Sequence, residues 1–442
     1  MSVLELTIDQ KYAPNWQVFD GIRELVQNCK DGDTCGHTMQ VTYNKSRSQP
    51  TLQLINQGTQ LEKSSLLLGG TDKRNNPNLI GFHGEGLKIA FLTLLKHGFD
   101  LWIRTGYEKW IPRIEHSQTY GAELLKVEVT KSQTFEPDLK VEVRGLVEND
   151  WFAIKERFLF SPFVQLGSNE CIELGRSKIL TAEKYRGHLF VKGIWVCDLP
   201  GKYWFGYDLE DLKLDRDRKL VDPFNLKWNI RTVLEDAARQ DKLSSEDLYT
   251  LFQGDSWEES RIIIDMGDYG TEFLAAKVTE HFRKLNGDES NVVAVDSMQD
   301  SINVQHFGLK GVVVAKPIKR LVEQKEGKLE DKRQQKALDI KQRYGAESLS
   351  QEEVTNFSWA VDLLHRIQID HPISVVDFCG VSVLGTFKEG EISISKNILL
   401  DRKELIATVI HELAHYSGSD ATVGHRAMIE ELFGKLVVEL TK

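Results

Sequence analysis

One helical segment near the start of the chain constrains the fold more than any other stretch. Residues 15–30, NWQVFDGIRELVQNCK, set Val18, Ile22, Leu25 and Val26 at helical spacing, so that stripe must be buried. The same helix carries Glu24, Asn28 and Asp31 at i, i+4 and i+7, which puts a carboxylate, an amide and a second carboxylate on one face. A polar stripe is ordinarily just the solvent face of a helix. The downstream residues argue for more. Residues 39–44 and 51–55 alternate like strands, LINQG (54–58) ends the second in a glycine turn, and GGT occupies 69–71. Gly81, Gly84 and Gly86 then come immediately before a helix at about 85–97. Glycines there let backbone N–H groups turn toward a phosphate, and the helix N-terminus adds favourable partial charge. Lys88, in the first turn, is within reach of such a phosphate. Strands come next near 99–105, 110–115, 124–130 and 139–144, which points to an α/β sandwich with one helical layer.

In this order the elements resemble the GHKL ATPases, the family of gyrase, heat-shock chaperone, histidine kinase and mismatch-repair proteins. GIRELVQNCKDGD looks like their N-box, LINQGTQL like the first glycine box and GFHGEGLKIA like the second. The GxxGxGLK form is similar to the mismatch-repair and Microrchidia branches. The resemblance covers about residues 15–150 and implies a Bergerat-type sandwich that binds ATP with Mg²⁺ and pairs into a homodimer. It implies Glu24 as the general base that activates water, Asn28 as the Mg²⁺ ligand and Asp31 as a support of the nucleotide pocket. Asn56, Gly58 and Thr71 would bind nucleotide. Gly81, Gly84 and Gly86 would belong to the phosphate-cradling lid, with Lys88 beside them. Two departures stand out. The family's adenine-reading aspartate is here Asn56, whose amide can donate as well as accept. The later Gly-Thr motif is not evident near VEVRGL (141–146). Many members also send a basic residue from a second domain onto the terminal phosphate. YDLEDLKLDRDRKL (207–220) resembles the arginine-bearing turns found there, with Arg216, Arg218 and Lys219 as candidates, against the plainer reading of a charged surface turn.

A second constellation lies near the other end. KELIATVIHELAHY (403–416) has the apolar periodicity of a buried helix, with His411 and His415 four apart and Glu412 between them. Two imidazoles at i, i+4 bind one Zn²⁺, and the glutamate can act as base toward water. A catalytic zinc needs three protein ligands and an open position. His425, after Gly418 and Gly424, is the favoured third ligand, and Asp420 is the competing one. The strand-like EISISKN (391–397) ahead of the helix fits an edge strand that holds a peptide backbone. The arrangement, over about 351–435, resembles the minimal zincin metallopeptidases of the SprT-like type.

At roughly 150 residues per domain, 442 residues predict about three parts. The expected class is α+β and multidomain: a GHKL-like domain over 1–160, a transducer-like α/β middle over 161–315, a charged helical linker over 316–350 and a zincin-like domain over 351–442. Within the middle, NVVAVDS and GVVVAKP, separated by a helix, read as βαβ. Trp102, Trp110 and Trp228 read as core residues rather than base-stacking platforms. The formal charge of −10 argues against a nucleic-acid-coated protein. Five scattered cysteines without CxxC match a reducing compartment, and no stretch reads as a signal peptide or a membrane span, so a cytoplasmic protein is expected. Together these expectations describe an ATP-regulated zinc metallopeptidase acting on a protein or peptide. The rivals are an ATP-driven clamp on nucleic acid or partner proteins with a structural zinc domain, and a chaperone-like binding module.

Overall fold

The computed structural model describes residues 2–45, 49–67, 79–80, 84–215, 217–254 and 256–442. They form a mixed α+β protein of two compact units, Met1–Ala237 and Ala238–Lys442. The division falls inside the stretch 161–315 that the sequence groups as one middle part. Among the described residues no helix is long and apolar enough to cross a membrane.

The first unit opens with β1 (Ser2–Asp9), α1 (Val18–Thr34), β2 (Met39–Asn44), β3 (Thr51–Asn56), α2 (Gly86–Lys96), β4 (Asp100–Ser117), β5 (Ala122–Arg144) and α3 (Glu148–Lys155). Strands β1, β3 and β4 all pair antiparallel with the long β5, and β2 pairs with β3. Each of β4 and β5 unites two of the short strands expected from sequence. The apparent break in β4 is an irregularity at Gly106 (φ 55°), where the register shifts without ending the strand. Helices α1 and α2 pack on each other and on the sheet, burying Ile22, Leu25, Val26, Phe91 and Leu94 against Leu52, Leu54 and Ile103. Each such side chain contributes about 1.5–3 kcal/mol of transfer free energy. Asp20 at the third position of α1 accepts the Gln17 N–H at 2.8 Å, satisfying one of the donors a helix start leaves over. Trp110 is fully buried and Trp102 nearly so, whereas Trp228 is 41% exposed, so that one is not a core residue.

The same unit continues with β6 (Cys171–Leu174), β7 (Ser177–Leu180), β8 (His188–Val191), β9 (Ile194–Asp198) and β10 (Gly206–Leu209), a five-stranded mixed sheet in the order β6-β7-β10-β8-β9. Lys192 and Gly193, both left-handed (φ 53° and 73°), make the two-residue turn between β8 and β9. Asp208 on β10 ties that turn down, accepting the Gly193 N–H at 2.7 Å. Burial pushes the Asp208 carboxyl up to about 6, with the Gly193 N–H pulling the other way. Its folded value therefore lies above the unfolded one, so the ionised group costs stability at neutral pH and the cost fades as pH falls through 6 toward about 4. Asp208→Asn keeps the acceptor oxygen and removes the buried charge. It should raise stability at pH 7.5 by on the order of 2 kcal/mol, with a smaller gain at pH 5, as read by denaturant unfolding. Equal effects at the two pH values would contradict this account.

Helix α4 (Pro223–Arg239) carries the chain across the division. The second unit contains α5 (Ser245–Gln253), α6 (Glu258–Asp265), α7 (Glu272–Asn286), β11 (Val292–Val295), α8 (Met298–Gln305), β12 (Lys310–Val313), α9 (Lys316–Glu326) and α10 (Leu329–Ala337). Strands β11 and β12 pair in parallel around α8, the βαβ expected from the two apolar runs. The charged stretch 316–350 includes α9, which buries Ile318, Leu321 and Val322, and a strand, β13 (Ile340–Tyr344). Then come α11 (Gln351–Arg366), β14 (Ile373–Phe378), β15 (Gly385–Lys388), β16 (Glu391–Ser395), α12 (Arg402–Ala414) and α13 (Val423–Leu440). The sheet order is β13-β14-β16-β15. The segment 391–397 expected at the edge is therefore interior: Ile392 and Ile394 are fully buried, and β16 is paired on both sides. The edge beside α12 is β15.

Candidate functional site

The polar stripe of α1 is not a solvent face. Glu24 is 7% exposed and Asp31 1%, although both lie on a cavity of about 910 Å³ in the first unit. Glu24, Asn28 and Asp31 line it from α1, Asn56 from the end of β3, Gly84 and Gly86 from ahead of α2, and Arg218 from the turn after β10. One Glu24 oxygen is held by Arg23, whose Nη2 and Nε lie 3.1 and 3.3 Å away. The other faces the start of α2, where a Cβ on Gly86 would stand 2.3 Å from it, so only glycine leaves room for the carboxylate. Asp31 Oδ1 accepts the Ile80 N–H at 2.7 Å, anchoring the backbone just before the glycine-rich segment. Asn56 spends both amide hydrogens, on the carbonyls of Cys29 (2.8 Å) and His37 (2.9 Å). Two carbonyl acceptors fix the orientation of the amide and leave Oδ1 as the acceptor, the role an aspartate would fill.

Arg218 sits at the tip of a hairpin closed by Leu214 and Leu220, in a left-handed conformation (φ 58°) that costs a non-glycine residue about 1–2 kcal/mol. Its Nη1 donates to Gln27 Oε1 at 2.8 Å, and its Nε is buried with no hydrogen-bond partner among the described residues. Burial lowers the guanidinium to about 10, with Arg23 pushing the same way and Glu24 and Asp31 opposing, so it remains a cation at neutral pH. A buried cation with an unspent N–H on a cavity wall favours an anionic ligand.

Other expected residues are placed differently. Lys88 is 1% exposed and does not line the cavity: its ammonium donates to the carbonyls of Ser65, Leu67 and Gly84. Its three donors are spent on backbone, so it holds two segments of chain together rather than reaching into the cavity. Gly58 (φ 64°) shapes the turn after β3 and donates its N–H to Asp138, away from the lining. Lys219 does not line the cavity either. Thr71, Gly81 and Arg216 lie outside the described residues.

The second unit holds the histidines. Asp401 caps α12 by accepting from Lys403 and Glu404 N–H at 2.9 and 3.1 Å, and Leu405, Val409 and Leu413 bury one stripe of it. His411 and His415 project from the same helix end. Thr422 caps α13 by accepting the His425 N–H, which turns His425 inward to 3% exposure. The side-chain donors of His411, His415, Asp420 and His425 all lie within 4.8 Å of one another. His425 Nε2 is buried with no hydrogen-bond partner among the described residues, which leaves a nitrogen lone pair facing the cluster. His415 Nδ1 lies 3.3 Å from the Gly418 carbonyl, which fixes that nitrogen as the donor and frees Nε2. Burial pulls His411 below the usual imidazole value, Asp420 opposing, so its lone pair is available at neutral pH. These are nitrogen and oxygen donors suited to Zn²⁺. Glu412, 7% exposed, lies between the histidines and β15: its Oε2 is 3.8 Å from His415 Nε2, its carboxylate accepts the Phe387 N–H, and a Cβ on Gly385 would lie 2.9 Å from its Cγ. Burial raises its carboxyl above the ordinary value, with His415 opposing.

The sequence alone assigns Arg23, Lys192 and Lys213 no role of their own, yet Arg23 grips Glu24 and the two lysines line the cavity. The Lys-Gly pair between two apolar runs signals the turn at Lys192, but nothing local says which cavity that turn borders. No protein-family model matches the chain, and no curated protein matches it.

Proposed function

We propose that the chain is an ATP-regulated zinc metallopeptidase, with a GHKL-like, Bergerat-type nucleotide site in its first unit and a zincin-like site in its second. In this reading, residues after 160 supply a transducer-like wall to the nucleotide cavity. The observation that carries the proposal is that both motif sets, far apart in sequence, fold with a near-buried carboxylate beside a donor set of the right chemistry: Glu24 beside Asn28 and Arg218, and Glu412 beside three convergent imidazoles.

At the first site Asn56 Oδ1 accepts from the adenine amino group. Asn28 holds Mg²⁺, which when bound offsets phosphate charge. Arg218 takes charge on the terminal phosphate, and Glu24, steadied by Arg23, draws a proton from the attacking water. At the second site His411, His415 and His425 hold Zn²⁺, which supplies Lewis acidity toward a peptide carbonyl when bound. Glu412 accepts a proton from water, and β15, the edge strand of the sheet, is where an extended peptide would align. Nucleotide turnover then gates the peptidase or remodels its substrate, in a chain that pairs through its ATPase domain.

Elemental analysis of the full chain tests the metal half of this function without needing the natural substrate. About one zinc per chain is expected in the wild type, and a weakened or lost content in His425→Ala. No zinc in a folded, chelator-free preparation would sink the peptidase reading and leave the ATP-driven clamp.

A further inference from the structure

The loop between α12 and α13 does more than join the ligands. Asp420 lies at its tip, with a side chain 71% exposed. Despite that freedom its Oδ1 points at all three histidines, 3.3 Å from His411 Nε2, 3.6 Å from His415 Nε2 and 3.7 Å from His425 Nε2. Four donors set tetrahedrally about 2.0–2.2 Å from a zinc ion stand about 3.3–3.6 Å apart. The carboxylate oxygen is therefore close to the fourth corner of the site that the three imidazoles define, the corner that water and peptide need.

The loop holds that corner from two tethered ends and leaves its tip in solvent. Gly418 is left-handed (φ 152°), and a Cβ there would stand 2.3 Å from Thr422 Oγ1, so only glycine closes the loop this tightly. Ala421, next to Asp420, is also left-handed (φ 64°), a conformation that costs a non-glycine residue about 1–2 kcal/mol. Thr422 Oγ1 donates to the Ser419 carbonyl at 2.8 Å, and the Gly418 carbonyl faces His415 Nδ1. Both ends are thus tethered around an exposed tip. The three histidines are 45%, 23% and 4% exposed in their side chains, against 71% for Asp420, so the carboxylate is the ligand on the solvent side. It also offsets one positive charge of a divalent ion that three neutral imidazoles leave uncompensated.

We propose that Asp420 is a fourth, displaceable metal ligand, so that the resting metal centre is closed and becomes accessible only when a stronger donor or a shift of the 418–422 loop takes the carboxylate away. This rests on the metal reading of the three histidines and adds its regulation. Opening is a ligand exchange: one metal–oxygen contact to Asp420 is lost, one to the incoming donor is made, and no electron changes hands.

The test uses the full chain loaded with Co²⁺, whose visible absorption reports coordination, and acetohydroxamate as the competing donor. Wild type and Asp420→Ala should each bind about one Co²⁺, the variant at least about tenfold more weakly. The variant's spectrum should respond to acetohydroxamate at a concentration at least about tenfold lower than the wild type's, and Asp420→Asn should behave like Asp420→Ala. Wild type and variants responding at the same concentration would overturn the closed site while leaving the three-histidine centre standing. Loss of Co²⁺ in Asp420→Ala but not in His425→Ala would make Asp420 a fixed ligand and overturn its displaceable role. A wild type that takes up no Co²⁺ would instead remove the metal reading itself.

Discussion

Replacing Glu24 by glutamine is expected to lower the rate of ATP hydrolysis by about 10²–10⁴-fold while ATP affinity stays within a few-fold of the wild type. The size comes from the geometry. Glutamine keeps the volume and the oxygen that meets Arg23, but it cannot take a proton. The alternative role for Glu24, a buried ion-pair partner for Arg23, predicts something else: removing one partner of a buried pair costs about 3–5 kcal/mol of stability. Arg23 retains Asp20 at 2.7 Å and lies over the Trp16 ring at 5.2 Å, so it is not orphaned by the change. Folding should therefore survive, and the loss should appear in kcat. Phosphate release and nucleotide binding, measured on the same preparation, separate the two accounts. Hydrolysis within tenfold of the wild type would show that another group activates the water; loss of binding together with rate would mark Glu24 as structural.

Local pattern carried much of this architecture. The apolar spacing of Val18, Ile22, Leu25 and Val26 located α1, and the NVVAVDS and GVVVAKP runs located a parallel strand pair, because burial of one stripe or one run is a local demand. The polar stripe of α1 is where local pattern is ambiguous: only the approach of β3, α2 and the Arg218 hairpin makes Glu24 and Asp31 buried rather than solvated. Lys88 shows the converse. Its position in the first turn of α2 fits a phosphate ligand, but its rotamer is set by the carbonyls of Ser65 and Leu67, some twenty residues upstream. Edge against interior placement of β15 and β16 is likewise a question of pairing, which the alternation of EISIS does not settle. The choice between His425 and Asp420 is also a tertiary matter, since spacing permits either and the folded loop brings both to the same point.

Glu412→Gln, the second large effect, is expected to reduce zinc-dependent cleavage of fluorescently labelled casein in the presence of ATP by about 10²–10⁴-fold, with about one zinc per chain retained. The separation of metal binding from turnover is the informative part. Glu412 is not among the four convergent donors, and its Oε2 stands 3.8 Å from His415 Nε2, so its loss leaves the ligand set whole. Its surroundings explain why it would act as a base rather than a scaffold. It lies under the edge strand β15, where burial and the Phe387 N–H, which its carboxylate accepts, restrict its motion. Glutamine fits the same space beside Gly385 and its oxygen still accepts the Phe387 N–H, so the melting temperature should move little. A chaperone-like module would lose nothing in this variant. Equal cleavage by wild type and Glu412→Gln would therefore assign the activity elsewhere, and cleavage lost together with zinc would make Glu412 part of the metal site instead of its neighbour.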